Sequence, residues 1–210
     1  MVIRGYRLAD RMAIRRICYD TAFLESAQKI IDDEEILTDF LTLYYTDWEP
    51  ESCFVAVENE EVIGYIIGTK DIKRMKNVMI FRIMPRLILK AFFMTAFFKR
   101  KHLKFLWFTF KSFLKGDFNV PDISQEYPAS LHINIQKDYR NSGFGLKLME
   151  CFLIYLSSQK IQGVQLGTMS EQAKNFFLKQ GFHVIFSRKH SHLKYQLGTD
   201  IPIYLMGKKL

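Results

Sequence analysis

The spacing of apolar residues switches between helix and strand periods along the first 70 residues. VIRGYR at 2–7 predicts a short strand, and the β-branched runs CFVAV and VIGYIIG around the acidic turn ENEE predict a hairpin. Between these, helical spacing predicts two helices, one capped by Asp10 and one from about Asp33 to Tyr45. YYTDWEPES then predicts a loop, because it is polar and contains Pro50.

The last 80 residues alternate strands with helices. ASLHINI at 129–135 has strand alternation, and helical spacing follows from Ser142 to about Ser158. GVQLGT predicts another strand, Ser170 caps a helix that Gly181 ends, and FHVIFS and IPIYLMG predict two closing strands. We therefore predict an α/β fold of the α+β type, with a central mixed sheet and flanking helices, in a single domain over 1–210.

Residues 72–120 depart from this alternation, because Phe, Met, Lys and Arg dominate them. We predict a basic, aromatic-rich helical insertion between the third and fourth strands. Pro85 suits the first turn of a helix. A helix from Pro85 to Phe98 would be roughly 21 Å long, shorter than the hydrocarbon core of a bilayer, which is about 30 Å thick.

The charge of the chain is concentrated in the same segment. The 210 residues carry a formal net charge of +8, but residues 71–120 hold 12 Lys/Arg and 2 Asp/Glu, against 18 and 20 elsewhere. A local basic segment argues against a general nucleic-acid-binding protein, and we expect no nucleic acid. Three interpretations of the insertion stay open: a helical cap over the sheet, a peripheral membrane contact through 78–113, and a homodimer interface.

Cysteine usage and the N-terminal residues favour a cytoplasmic protein, and a peripheral membrane contact through the insertion is compatible with that location. The three cysteines are odd in number and lack metal-ligand spacing, so we expect reduced thiols. Charges interrupt the first residues, where a signal peptide needs an apolar block. His190 and His192 form a His-x-His motif without a third ligand nearby, so we expect a surface loop there and no metal.

The tract RNSGFG at 140–145 follows a predicted strand and opens a predicted helix. N–H groups at a helix start are unpaired, and the helix dipole adds positive potential there. Glycine removes the Cβ that would keep a phosphate away, and Arg140 can add charge-assisted hydrogen bonds. Neither a Walker-type loop nor a Gly-x-Gly-x-x-Gly fingerprint is present. The residues favour a phosphate-bearing ligand, and a turn that merely needs glycine is the alternative.

The run LHINIQKDYRNSGFGLKLM resembles the acyl-CoA-binding segment of the GNAT acyltransferase superfamily. GVQLGTMSEQAKNFFLKQGFHV is similar to the next strand, the Ala-bearing helix and the closing Gly-Phe of that family, and IRGYRLAD and the hairpin also occupy the expected places. The resemblance covers roughly 1–70 and 128–209. It implies a GNAT-like fold and an enzyme that moves an acetyl group from acetyl-CoA to a primary amine by direct attack, without a metal.

The resemblance also implies which residues hold acyl-CoA. Backbone groups of Ile133 and Ile135 would meet the pantetheine arm, and the thioester would enter a gap between this strand and the next. The family often has Asn at the position of Ser170 and a proton-donating Tyr at the position of Phe177, whose phenyl ring cannot donate. The residues expected to bind acyl-CoA are Ile133, Ile135, Arg140, Asn141, Ser142, Gly143, Phe144, Gly145, Ser170 and Phe177.

His132 and Asn134 are the candidate catalytic residues, because they share the other face of the strand near the expected thioester. His132 has the pKa range of a general base, acting directly or through a water. Asn134 would orient a water or the acceptor. Glu126 and Tyr127, just before the strand, are weaker candidates. A histidine hydrogen-bonded within the sheet is the alternative for His132.

The acceptor is expected to be a small-molecule or peptide amine. Asp47, Glu49 and Glu51 of YYTDWEPES would attract a cationic amine, although a solvated loop is the interpretation we favour. Because Phe177 leaves no general acid assigned, a non-catalytic acyl-CoA-binding or membrane-surface module is the alternative function.

Overall fold

Seven strands form one mixed sheet in the computed structural model, which describes residues 2–21, 33–93 and 100–210. The strand order is β1-β2-β3-β4-β5-β7-β6, and all neighbours are antiparallel except β4 and β5. This confirms the predicted central mixed sheet. The strands are β1 Val2–Gly5, β2 Cys53–Glu58, β3 Glu61–Thr69, β4 Ala129–Ile135, β5 Gly163–Thr168, β6 His183–His190 and β7 Ile201–Lys209.

Helices cover both faces of the sheet and form the insertion between β3 and β4. Local signals set their ends: Asp33 accepts from Ile36 N–H at 2.9 Å, and Ser170 accepts from Ala173 N–H at 3.3 Å. The helices are α1 Arg11–Thr21, α2 Glu34–Trp48, α3 Ile72–Val78, α4 Met84–Phe93, α5 Arg100–Leu114, α6 Phe144–Ser158, α7 Glu171–Lys179 and α8 Lys194–Leu197.

The two faces of the sheet carry separate apolar cores. On one face α6 and α7 pack on the sheet, and Leu131 of β4 joins this core. On the other face α1 packs against β2 and β3, with Ile14 among the fully buried side chains. Because side chains alternate along a strand, His132 points to the α1 side, where its ring lies 6.1 Å from that of Tyr65.

The insertion begins with one continuous helical segment rather than with a helix starting at Pro85. A π-helical turn at 79–83 joins α3 to α4, and Pro85 lies in the first turn after it. Proline lacks an N–H and crowds the carbonyl four residues earlier, and the wider π turn relieves both problems. The predicted end at Phe98 lies outside the described residues. No helix within the described ranges is long and apolar enough to cross a bilayer.

The predicted loop YYTDWEPES is also wrong, because α2 extends to Trp48 and a 3-10 turn follows at 50–52. Glu49 between them is only 2% exposed, so a solvated loop does not describe it. Its carboxylate accepts from the Tyr44 hydroxyl at 2.8 Å, the Ser52 hydroxyl at 2.9 Å, and the Thr69 hydroxyl and Lys70 N–H at 2.7 Å each. These four bonds offset the cost of burying a charge.

His190 is not in a surface loop either. It ends β6, is 2% exposed, and packs edge-on against Phe118, with 5.1 Å between ring centroids. The β6–β7 pairing extends as far as His190↔Ile201, which places this histidine inside regular structure.

Candidate active site

A gap opens between the two parallel strands in the middle of the sheet. β4 pairs with β5 at Ala129↔Val164 and Ser130↔Gln165, and over the described residues the pairing ends there. β4 continues along β3 as far as Ile135↔Gly64, while β5 continues along β7. The remaining five residues of β4 therefore diverge from β5, as the resemblance implied.

Strand alternation fixes which peptide groups of β4 face this gap. Gln136 donates its N–H to Ile63 of β3 at 2.9 Å, so the even-numbered residues direct their peptide groups toward β3. The peptide groups of Ile133 and Ile135 consequently point toward β5. Two backbone donor–acceptor pairs thus line the gap and can bind an extended chain of amide groups.

The turn between β4 and α6 has two residues in the left-handed region. Asn141 has φ of 65° and Gly143 has φ of 84°, and the Ser142 hydroxyl donates to the Tyr139 carbonyl. Within the described part of the chain, no side chain caps α6, which begins at Phe144. The first N–H groups of a 15-residue helix therefore point into the turn.

The two glycines of this turn have different reasons to be glycine. A Cβ built on Gly143 meets nothing within 4 Å, so the space beside it is open, and its φ disfavours most other residues. A Cβ on Gly145 would contact Phe176 at 3.6 Å, an ordinary van der Waals distance, and this glycine has no positive φ. Gly143 is therefore the position at which a side chain would enter the open space.

Phe144 anchors the helix start while its backbone remains at the turn. The ring is 3% exposed, belongs to the core on the α6 face, and lies edge-on to Tyr139 at 6.1 Å between centroids. Arg140 is exposed one residue before the left-handed Asn141. The turn thus combines a fixed helix start with an exposed guanidinium, which suits binding of an anion.

The structure places Ser170 at the N-cap of α7 and Phe177 within this helix. The Ser170 hydroxyl caps α7, as predicted. Phe177 is 6% exposed and packs on Phe182 at 5.5 Å between centroids, within the same core as Leu166 of β5. A contact between either side chain and a ligand stays a prediction. Phe176, which the sequence did not single out, is the α7 ring nearest to Gly145.

His132 and Asn134 form a hydrogen-bonded chain with Tyr65, a residue that was not a candidate from sequence. The Asn134 amide donates to the Tyr65 hydroxyl at 2.8 Å and lies 2.9 Å from His132 Nε2. With the amide as donor, Nε2 is an acceptor and the imidazole is neutral. Burial lowers the pKa of His132 to about 4. This arrangement matches the alternative of a histidine hydrogen-bonded within the sheet, and a role as base requires the Asn134 amide to move.

The weaker candidates lie apart from this chain. Tyr127 is buried, with its hydroxyl 3.3 Å from His183 Nε2, and Glu126 forms an exposed ion pair with Lys209 at 3.4 Å. In the described ranges, no three His, Cys, Asp or Glu side chains are arranged to hold a metal ion.

Comparison with solved structures identifies the architecture. SsHAT is 24% identical, with a TM-score of 0.71 over 99% of this chain and 97% of its own. The Drosophila melanogaster polyamine N-acetyltransferase is 16% identical, with a TM-score of 0.66 over 100% and 99%. The ribosomal-protein-alanine N-acetyltransferase from Brucella melitensis is 18% identical, with a TM-score of 0.59 over 100% of both chains.

This protein therefore has the fold of the GNAT N-acetyltransferases, which confirms the resemblance at the level of structure. No protein-family model matches the chain, and a search of curated proteins finds no similar sequence. A shared fold does not define a reaction, so the function has to be argued from the site.

Proposed function

We propose that this protein is an N-acetyltransferase that moves an acetyl group from acetyl-CoA to a primary amine by direct attack in a ternary complex, within a single domain over residues 1–210. The observation that carries the proposal is the divergence of β4 from β5 immediately before a left-handed glycine turn at the start of α6. Of the proteins with this fold, one acetylates polyamines and forms N-acetylagmatine, and another is a ribosomal-protein-alanine N-acetyltransferase.

The turn and the gap would bind acetyl-CoA at two places. The pyrophosphate would sit on the N–H groups from Asn141 to Gly145, in the space beside Gly143, with Arg140 adding a charge-assisted contact. The amide groups of the pantetheine arm would pair with the peptide groups of Ile133 and Ile135. Burial of the thioester between β4 and β5 would bring it to the middle of the sheet and hold it for attack by an amine.

Asn134 is the polar group that we propose to orient the acceptor. Its amide N–H groups are held by Tyr65 and His132, which leaves its carbonyl oxygen to accept a hydrogen bond from an amine or a water. His132 fixes this orientation with its neutral ring. Its own role as general base remains a second prediction, because Nε2 must first release the amide.

Phe177 cannot protonate the leaving thiolate, and the proposed reaction does not require it to. Thiols are far more acidic than alcohols, and a cysteine thiol has an ordinary pKa of about 8.5, so the thiolate of coenzyme A can leave without protonation by the enzyme. The hydroxyl of a tyrosine at this position would enter an apolar cluster that includes Phe182. We therefore assign no general acid to α7.

The decisive test is calorimetric titration of two glycine variants with acetyl-CoA and with S-acetylpantetheine, which lacks the pyrophosphate. Gly143→Asn tolerates the left-handed backbone but fills the open space, so acetyl-CoA affinity should fall at least about tenfold. Affinity for S-acetylpantetheine should change little. Gly145→Ala is the matched control and should bind like the wild type, since its Cβ makes an ordinary contact.

Equal binding of acetyl-CoA by the wild type and Gly143→Asn would refute the phosphate assignment. Catalysis is tested separately by release of free coenzyme A in the presence of agmatine, spermidine or a peptide with an N-terminal alanine. Binding without amine-dependent release would favour the alternative function of a non-catalytic acyl-CoA-binding module.

A further inference from the structure

Six large apolar side chains form a continuous exposed stripe along α5. They recur at spacings of three and four, which places them on one face of the helix. Their exposed fractions range from 44% to 68%, although side chains of this kind are usually buried. The apolar stripe of α5 consists of Leu103, Leu106, Trp107, Phe110, Phe113 and Leu114.

The opposite face of α5 attaches the helix to the rest of the protein. Phe105 packs with Leu193 and Ile201, and Phe108 stacks on Tyr195 with 4.6 Å between ring centroids. At the end of the helix, the buried Ser112 hydroxyl donates to Asp117, a carboxylate that also accepts from Ser191 N–H at 3.0 Å. The helix is thus fixed through one face, and the stripe is directed outward.

Basic residues lie along one flank of the stripe. Arg100, Lys104 and Lys111 recur at spacings of four and seven, between the stripe and the attached face, and all three are exposed. Lys111 Nζ lies 5.0 Å from the ring centroid of Trp107. An exposed apolar face beside a Lys/Arg-rich flank is the arrangement of helices that lie in a membrane interface.

The earlier helix of the insertion repeats the arrangement. Leu87 of α4 is 6% exposed and packs in a core cluster with Tyr44 of α2. Ile88, Leu89, Phe92 and Phe93 are exposed by 51% to 74%, and Arg86 lies beside them. Two independent helices therefore present the same combination of exposed apolar and cationic groups.

The positive charge of the insertion indicates which kind of partner surface would contact these exposed apolar faces. Residues 72–116 contain 12 Lys/Arg and no Asp or Glu. We infer that the insertion docks on a bilayer surface containing anionic lipid, with the apolar stripe of α5 inserted at the level of the headgroups. Lys and Arg beside the stripe would contact the headgroups, which attract basic segments electrostatically.

A bilayer fits these faces better than a second copy of the chain or a nucleic acid. A symmetric dimer would bring two cationic flanks together, because each copy presents the same patch. Single-stranded nucleic acid binds by stacking on aromatic rings, and half of the stripe is leucine. Acyl chains accept aliphatic and aromatic groups alike.

Co-sedimentation with vesicles tests the apolar component. The vesicles are phosphatidylcholine alone, or phosphatidylcholine with about one third phosphatidylglycerol, which mimics an anionic leaflet. The triple variant Leu106→Ser/Phe110→Ser/Phe113→Ser should lose binding to the mixed vesicles at least about tenfold. The matched control replaces three other exposed apolar residues, Leu8, Met12 and Ile154, by serine; they are exposed by 74%, 72% and 70%. It should bind like the wild type.

A second pair of variants tests the charge of the flank. The test variant and its control change the net charge of the protein by the same amount. Arg100→Glu/Lys104→Glu/Lys111→Glu should weaken binding to mixed vesicles at least about tenfold, because each basic residue near an anionic surface contributes to attraction. Equivalent reversal at three exposed lysines outside the insertion should change it by no more than about twofold, because these lysines are not part of the basic flank of α5. These control positions are Lys160, Lys179 and Lys209.

Tryptophan fluorescence locates the contact. The chain has two tryptophans, so Trp48→Phe leaves Trp107 of the stripe as the sole reporter. Its emission should shift to the blue with mixed vesicles and be quenched by brominated lipids. Unshifted emission, failure to pellet at low salt, or equal loss in the test and control variants would overturn the inference. So would a dimer in analytical ultracentrifugation that the serine triple variant dissociates, or pelleting of that variant equal to the wild type.

Discussion

α5 and α6 are both 15 residues long and rich in Phe and Leu, yet they use their apolar side chains in opposite ways. α6 packs its apolar face on the sheet, and five of its residues are buried: Phe144, Leu148, Met149, Phe152 and Leu156. α5 holds six apolar residues in its exposed stripe. Apolar content therefore does not decide burial, because a helix buries its apolar face only where another element supplies a matching surface.

The difference lies in what each helix connects. α6 follows β4 and returns to β5, so the crossover lies across the sheet and covers it. α5 lies within an excursion between β3 and β4, which are already antiparallel neighbours and require no crossover. A helix such as α5, which is not needed to connect or cover the strands, can keep an exposed surface for another partner.

The largest expected effect is the loss of stability on truncating a phenylalanine of α6, which we compare with the same truncation on α5. Phe152→Ala removes a fully buried ring and should lower the free energy of unfolding by about 3–5 kcal/mol. Phe110→Ala removes a ring that is 52% exposed and should change it by less than about 1 kcal/mol. Urea denaturation followed by circular dichroism measures both. Similar losses in the two variants would mean that the stripe of α5 is covered within the protein.

The next largest effect is the loss of stability expected when the buried Glu49, beside the start of the insertion, is replaced. Glu49 accepts a hydrogen bond from Lys70 N–H, directly before α3. Glu49→Ala leaves several buried donors without a partner, so the free energy of unfolding should fall by about 3 kcal/mol. Thermal and urea unfolding provide the measurement.

Glu51→Ala is the matched control for this site. Glu51 forms an exposed ion pair with Lys70 at 3.2 Å, and its loss should cost at most about 1 kcal/mol. If Glu49→Ala were as mild as this control, the buried carboxylate would not stabilise the base of the insertion.

The smallest effect concerns pH and the α1 face of the sheet. Burial lowers the pKa of His132 to about 4, from an ordinary 6.5, so the fold favours the neutral ring. The stability that this ring contributes is present above pH 6.5 and is lost as the pH falls from 6.5 toward 4. Between pH 7 and pH 5 the wild type should lose about 1–2 kcal/mol more than His132→Asn.

Urea titrations at the two pH values measure this difference. Burial also lowers the pKa of His190 and His192, so both proteins keep a residual dependence of the same sign. An identical pH dependence in the wild type and the variant would show that His132 is readily protonated in the folded protein. The proposed role of Asn134 in orienting the acceptor amine would then lack support, because it requires a neutral His132 to hold the Asn134 amide.

Much of the fold was predictable because its signals are local. Ser170 caps its helix, and the turn of the β2–β3 hairpin takes the positive φ values that a tight hairpin requires, 48° at Asn59 and 66° at Glu60. The glycine turn before α6 was also found from sequence, since Gly143 has the conformation that favours glycine. Each of these features depends on residues within a few positions of one another. The predicted cap Asp10 is wrong, because its carboxylate accepts from the Arg4 guanidinium and from Arg7 N–H.

The errors share the opposite property. The π-helical turn that accommodates Pro85 leaves no simple periodic mark, and the helical extension to Trp48 brings Glu49 to Thr69, which is distant in sequence. The partner of Asn134 is Tyr65, 69 residues away. Periodicity reports which face of an element is apolar, but not which distant polar group will meet it.

The sequence by itself determined the order of strands and helices, the glycine turn, and the concentration of positive charge in one segment, because periodicity, backbone conformation and formal charge are properties of short stretches. The tertiary structure alone decided that His132 is neutral with its Nε2 occupied by the Asn134 amide, and that the apolar side chains of α5 point outward. These depend on which surfaces meet, and burial and desolvation arise only after distant parts of the chain have packed together.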